Sequence, residues 1–340
     1  MADTVLLTGV SGFLGGHVAL ALLNAGYQVR GSLRSLAKSD HVRATLAKAG
    51  ADVSRLEFVA LDLLSDEGWE GAAQGCRYLA HTASPVAARM PTDRMELIRP
   101  AVEGTERAFN AGLKAKVERF VLTSSMAAIA YGHDPARTAP FTAADWTNLN
   151  GRPVSAYVES KTRAERRAWE LMKAAGRESD LAAINPGYIF GPLLDEDPGT
   201  SVGLIARLLK GGIPAAPRMM LAIVDVRDVA AAHAAALSGA NAGGRRFPMG
   251  EGSFSLMEIG AILRRHFPER ASKLPRRELP DWFVRVLALF DRSLRDITGE
   301  LGVRRRLDSS HAIALLGRKL IAPEEALVAS AQSLIAQGLA

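Results

Sequence analysis

The chain opens with Thr4-Val5-Leu6-Leu7 running straight into Thr8-Gly9-Val10-Ser11-Gly12-Phe13-Leu14-Gly15. A short apolar run with β-branched residues reads as a strand, and the stretch from Gly12 to Asn24 has helical spacing. Joining the two through three glycines leaves little freedom in what the segment can become. Gly9 permits a tight turn, Gly12 lets backbone approach a pyrophosphate, and Gly15 allows the helix to lie close against the strand. The helix N-terminus then offers unpaired N–H groups and the positive end of its dipole to an anion. The spacing G-x-x-G-x-x-G is one residue longer at its start than the usual dinucleotide fingerprint. A merely glycine-rich turn is the competing reading. The strand before it and the helix after it favour a nucleotide cofactor, with Thr8, Gly9, Ser11, Gly12, Phe13 and Leu14 as its contacts.

The alternation continues along the chain. Tyr27 to Gly31, Leu56 to Ala60, Tyr78 to His81, Phe120 to Ser124 and Leu181 to Asn185 read as further strands. Leu36 to Ala49, Asp93 to Ala115 and Ser155 to Ala175 have helical spacing. Continuous rather than alternating hydrophobicity in the strands predicts burial on both faces, hence a parallel sheet between helices. The fold class expected is therefore α/β, a Rossmann-type doubly wound parallel sheet with a smaller, mainly helical C-terminal substrate region. The dinucleotide-binding unit is expected over 1–186 and the substrate-binding region over 187–340, where Gly and Pro punctuate the chain and Leu256 to Phe267, Asp281 to Phe290 and Pro323 to Ala336 read as helices. The boundary is not a clean cut, because Leu221 to Val224 reads as a strand able to return to the main sheet within a segment near 221–240.

Composition narrows the class of partner. Of the formal +6, most is contributed after residue 240, where 16 basic residues face 11 acidic ones. They are interleaved with Leu, Val and Phe, a solvated helical surface rather than a nucleic-acid platform. No window approaches the apolar length of a membrane span, and the first residues lack the basic and apolar regions of a signal peptide. One cysteine, Cys76, cannot form an internal disulfide. Together these predict a soluble, cytoplasmic protein that binds neither nucleic acid nor membrane.

An NAD-binding unit ordinarily carries an acid roughly 20 residues beyond the glycines, where it bonds the adenine ribose. Here the second strand ends Val29-Arg30-Gly31-Ser32-Leu33-Arg34, with Lys38 a turn later. A cationic site there suits a ribose 2′-phosphate: Arg34 can grip it with two parallel bonds, Ser32 can donate one, and Lys38 adds charge. NADP(H) is the expected cofactor, against the plainer reading of surface charge at a strand end. Asp62, followed by Leu63, stands where an adenine amino group could be bonded, and equally where a turn needs a cap.

The fifth strand ends Thr123-Ser124-Ser125, and Tyr157 and Lys161 follow at helical i,i+4 spacing. An ammonium beside a phenol is expected to lower its pKa and make Tyr157 a usable proton donor. Lys161 can also bond the nicotinamide ribose, and Ser125 can bond a substrate carbonyl oxygen as charge develops on it.

Together with His81-Thr82-Ala83-Ser84-Pro85, Asn185-Pro186-Gly187 and Val224 to Val229, these segments make the chain resemble the extended short-chain dehydrogenase/reductases, specifically the dihydroflavonol 4-reductase and cinnamoyl-CoA reductase-like group of NADPH-dependent aldehyde and ketone reductases. The resemblance implies that Ser125, Tyr157 and Lys161 form the catalytic triad and that Arg34 binds the 2′-phosphate. It implies too that Thr82, Ala83 and Ser84 line the cofactor, and that Pro186, Gly187 and Ile189 run beside the nicotinamide carboxamide. Asn185 departs from the group, which commonly has Arg before that proline, and Met126 stands where relatives carry a small residue; it either narrows the substrate cavity or packs in the core. The substrate implied is a small, moderately hydrophobic carbonyl or alcohol compound, held by Ser84 to Met95, Tyr131 to Pro153 and Gly187 to Met220. A nucleotide-sugar epimerase or dehydratase of the same fold is one rival, disfavoured by the missing acid. A non-catalytic NADP-binding sensor is the other, disfavoured by the presence of both Tyr157 and Lys161.

No two histidines form a metal-binding pattern, so no metal is expected. His81 reads as structural and Cys76 as an inert packing residue. Met219-Met220 and Trp282-Phe283 line a cavity, fill a core or meet a second subunit, and the helices over 93–115 and 155–175 are the places where a homodimer could form.

Overall fold

The computed structural model describes residues 2–85, 93–290, 295 and 297–340. Strand β1 (Thr4–Thr8) explains in miniature how the sheet is built. Successive side chains of a strand point to opposite faces. Val5 and Leu7 pack into one core while Leu6 packs into another, and none of the three has any solvent exposure. Strand β5 (Arg119–Thr123) repeats the pattern, with Val121 on one face and Phe120 and Leu122 on the other. Unbroken hydrophobicity is thus the requirement of a sheet covered twice.

With β2 (Gln28–Leu33), β3 (Leu56–Ala60), β4 (Tyr78–His81), β6 (Leu181–Pro186) and β9 (Arg245–Met249), these strands form a seven-stranded sheet in the order β3-β2-β1-β4-β5-β6-β9. All its pairings are parallel. Helices α1 (Phe13–Asn24), α2 (Ser39–Lys48) and α7 (Val226–Ser238) cover the Val5 face; α3 (Trp69–Ala73), α4 (Met95–Lys114) and α5 (Ala156–Ala174) cover the other. The outer flanks of α4 and α5 carry ion pairs such as Arg99–Glu103 and Arg167–Glu106.

The later half departs from the expected course in one respect. Strand β8 (Met220–Asp225) does not return to the main sheet; it pairs parallel with β7 (Tyr188–Phe190) and antiparallel with β10 (Glu251–Ser255) in a sheet of three. The return is made instead by α7, which packs on α1, and by β9, which pairs with β6. Strand β9, with Arg245, Arg246 and Pro248, lacks the apolar continuity that marks the other strands. Around the small sheet, α6 (Gly199–Leu209), α8 (Leu256–His266) and α11 (Pro323–Ala336) enclose a separate core of Phe190, Ile205, Leu208, Ile223, Leu263 and Leu334. Between α8 and α11 the chain adds α9 (Asp281–Leu287) and α10 (Ser310–Leu316).

Gly15 is the tightest point of the first turn. A Cβ there would lie 2.0 Å from the Gly9 carbonyl oxygen, a backbone atom that cannot swing aside. Gly15→Ala is expected to cost about 2–3 kcal/mol of stability. Gly71→Ala, in α3 with nothing within 4 Å of the new methyl, should be neutral or stabilising by up to about 1 kcal/mol. Urea midpoints of the two variants check this; equal midpoints would refute the packing argument.

Candidate active site

The strand order reverses at β1, between β2 and β4, and the carboxyl ends of these strands open a crevice there, as doubly wound sheets do at such a switch point. Gly9, at φ +75°, makes the turn out of β1. Its backbone sits on Ala83 so closely that a Cβ would come within 2.9 Å of the Ala83 Cα. The Thr8 hydroxyl accepts the N–H groups of Thr82 and Ala83, both at 3.1 Å, and meets His81 Nδ1 at 2.9 Å. With both lone pairs used, Thr8 donates to Nδ1, which leaves His81 protonated on Nε2. Thr8 is fully buried in this knot, so it positions the crevice instead of lining it, as His81 does. Ser11 and Gly12 are exposed, and the first turn of α1 has no side-chain cap. That uncapped, glycine-lined N-terminus fits the pyrophosphate of a dinucleotide.

At the β2 end, Ser32 is buried and its Oγ accepts the Gly9 N–H at 3.1 Å. The serine thus braces the turn, a role the sequence reading did not assign it. Arg34 and Lys38 are exposed and have no ionic partner among the described residues, the condition of cations free to receive a phosphate. Asp62 caps its turn, its Oδ1 accepting the Leu64 N–H at 2.9 Å. Leu63 packs against α4 at Gly104, where a Cβ would lie 2.6 Å from its Cδ2.

Ser125 follows β5 in extended conformation and caps a short helical turn through Ala127 N–H, 3.1 Å away. Helix α5 is begun by the Ser155 side chain, which accepts the Val158 N–H at 3.3 Å, and its first turn delivers Tyr157. The Ser125 side chain lies near enough to the Tyr157 hydroxyl to pull its pKa down. The tyrosine has 36% of its surface exposed, while protein packs around its hydroxyl. Burial raises its pKa, more than Ser125 lowers it. The expectation that Lys161 depresses this pKa is therefore not met. Lys161 stands in a pocket with His81, Ala83, Ser84, Thr105, Ser124 and Glu165, and burial pushes it down to about 8 against the pull of Glu165. The spacing placed the two side chains on one face; desolvation decided their acidities.

Strand β6 delivers Pro186 to the crevice floor, and Gly187 crosses β8 where a Cβ would lie 2.3 Å from the Ala222 carbonyl oxygen. Ile189, in β7, packs on the first core. Met126 is buried with Ile129, Phe141 and Leu307, so it fills a core. Trp282 and Phe283 are 66% and 37% exposed and do not. Much of the stretch Ser84 to Met95 lies outside the described residues. Cys76 is buried, and no cluster of metal-ligating side chains occurs among the described residues.

Two groups escaped the sequence reading. Tyr131 and Tyr188 lie near enough to each other to shift one another's pKa, and Tyr188 likewise acts on Tyr157. Glu165, buried, is ion-paired with Arg246 at 2.6 Å and receives the Asn185 amide at 2.7 Å. Asn185 thus sits beside a cation that reaches the carboxylate from the neighbouring strand. Glu165 lies four residues beyond Lys161, a signal legible in the sequence; Arg246 had none.

Residues 5–250 match the NAD dependent epimerase/dehydratase family. A Medicago truncatula cinnamoyl-CoA reductase is 35% identical over 277 residues, covering 79% of this chain and 82% of its own. An uncharacterized oxidoreductase of Schizosaccharomyces pombe is 36% identical over 285 residues, covering 78% and 83%. The crystal structure of yeast methylglyoxal/isovaleraldehyde reductase Gre2 complexed with NADPH superposes with a TM-score of 0.79 at 25% identity, covering 99% of this chain and all of that one.

Burial, reinforced by the Lys161 charge, pushes His81 from 6.5 down to about 3, and burial pushes His233 to about 4. Between those values and 6.5 the unfolded chain binds protons that the folded chain does not. Stability present above pH 6.5 is thus lost as pH falls toward 3. His81→Asn is expected to flatten the fall of Tm between pH 6.5 and 4; an unchanged slope would show that His81 is not held neutral.

Proposed function

The chain belongs to the NAD dependent epimerase/dehydratase family, and we infer that it is an NADPH-dependent reductase acting on the carbonyl group of an aldehyde or ketone. The observation that carries the catalytic assignment is the Tyr157 hydroxyl, close to the Ser125 side chain at the end of β5 and held in its protonated form by burial. A phenol that stays protonated at neutral pH is suited to give a proton to a carbonyl oxygen, which is the direction of reduction.

The uncapped α1 N-terminus would hold the pyrophosphate of NADPH, with Ser11, Gly12, Phe13 and Leu14 around it. Arg34 and Lys38 would hold its 2′-phosphate, and Thr82 to Ser84 and Pro186 to Ile189 would flank it. When bound, NADPH supplies the hydride. Ser125 orients the substrate oxygen and stabilises the negative charge growing on it, Tyr157 donates its proton there, and Lys161 as an ammonium favours that charge. Tyr131 and Tyr188, partly buried against the core of Met126, Ile129, Phe141 and Leu307, present aromatic surface that suits a moderately hydrophobic substrate. A reducing, cytoplasmic setting fits the lone, buried Cys76.

Consumption of NADPH at 340 nm across a panel of aldehydes and ketones tests the reading. Tyr157→Phe should lower kcat by about 10²–10⁴; full activity in that variant, or no turnover with any carbonyl, would sink it. Arg34→Ala should weaken NADPH at least about tenfold while leaving NADH nearly unchanged, and an equal loss for both would remove Arg34 from the 2′-phosphate site. Because Lys161 sheds its proton near pH 8, kcat/KM should decline above that pH.

A further inference from the structure

Glu165 follows Lys161 by one helical turn and Tyr157 by two, so α5 presents all three on one face. It is 1% exposed. Its Oε1 accepts from Arg246 Nε at 2.6 Å and from the Trp169 indole N–H at 3.2 Å. Its Oε2 accepts from the Ser124 hydroxyl at 2.5 Å, the Asn185 amide at 2.7 Å and the second Arg246 nitrogen at 3.2 Å. Arg246 in turn lies 3.9 Å above the Trp146 ring and donates to the carbonyls of Ala128, Ala143 and Asp145. A buried ion pair is seldom more stabilising than apolar residues of the same volume, so the fold alone gives little reason for this one. Glu165 and Lys161 line the same pocket, next to the cofactor-facing Ala83 and Ser84.

We propose that Glu165 is a positioning residue for carbonyl reduction: its carboxylate, fixed by Arg246, Ser124 and Asn185, holds Lys161 as an ammonium at the cofactor side of the cleft. The proposal rests on the reductase reading above. Among the described residues, the other groups facing Lys161 leave it no second counter-charge. His81 from β4 is neutral, Thr123 and Ser124 from β5 and Thr105 from α4 are uncharged, and Tyr157 on its own helix is protonated. Arg246 from β9 is engaged with Glu165. Burial drives Lys161 toward its neutral form, and Glu165 is the charge that opposes it.

Two measurements on the full chain test this together: the Lys161 titration midpoint from ¹³C-lysine NMR without cofactor, assigned with Lys161→Arg, and the alkaline limb of kcat/KM with NADPH. Glu165→Gln should move both down by about one pH unit or more, and Glu165→Asp should recover part of the shift. Trp169→Phe, which removes one donor without touching the charge, should lower Tm and leave midpoint and limb in place. If Glu165→Gln does not fold for want of a partner for Arg246, Glu165→Gln with Arg246→Met removes both charges and should still shift midpoint and limb down relative to Arg246→Met alone. A folded variant lacking Glu165 with an unmoved midpoint overturns the proposal, as does an equal shift in Trp169→Phe. Absence of turnover with every carbonyl would defeat the reductase reading instead, and the NMR midpoint would still decide whether Glu165 governs Lys161.

Discussion

The Thr8 hydroxyl joins the ends of β1 and β4. By taking the N–H groups of Thr82 and Ala83 and giving its proton to His81, it holds two parallel strands at the register from which the crevice opens. Gly9 then turns with its backbone against Ala83, and Gly15 lies against Gly9 without a side chain between them. The N–H groups at the start of α1 point into the crevice because these close contacts leave α1 no other path. A larger residue at any of these points would part β1 from α1 or β4, and the anion site would be lost with it.

Desolvation is the second constraint. Burial is the largest influence on the acidities of Tyr157, Lys161 and His81. Each is driven toward its neutral form, which for tyrosine means protonated and for lysine and histidine means deprotonated. For Tyr157 the drive suits a proton donor. For Lys161 it opposes the charge that the proposed chemistry uses, and the carboxylate one turn along α5 stands against it.

Strands β1 to β6, the long helices and the glycine turn were legible because each is written in local periodicity. Val5, Leu6 and Leu7 announce a strand buried on both sides, and Tyr157 and Lys161 announce a shared helical face. Strand β9 was not legible: Arg245, Arg246 and Pro248 interrupt its hydrophobicity, and its place beside β6 is made by a parallel ladder between residues some sixty apart in the chain. Strand β8 looked like a return to the main sheet, yet its partners are β7 and β10, since an apolar run specifies burial and not the sheet that provides it. Ser32 looked like a phosphate ligand and instead braces Gly9, because the strand end turns it inward.

The sequence by itself determined the strand–glycine–helix unit, the cationic end of the second strand and the shared helical face of Tyr157 and Lys161. These depend on residue type and on spacings of a few positions, which helices and strands convert directly into geometry. Only the tertiary structure decided which groups lost their water. It raised Tyr157 where the sequence predicted lowering, neutralised His81, and brought Arg246 across from β9 to Glu165. Burial is summed over every element packed around a side chain, and most of those elements are distant in the chain.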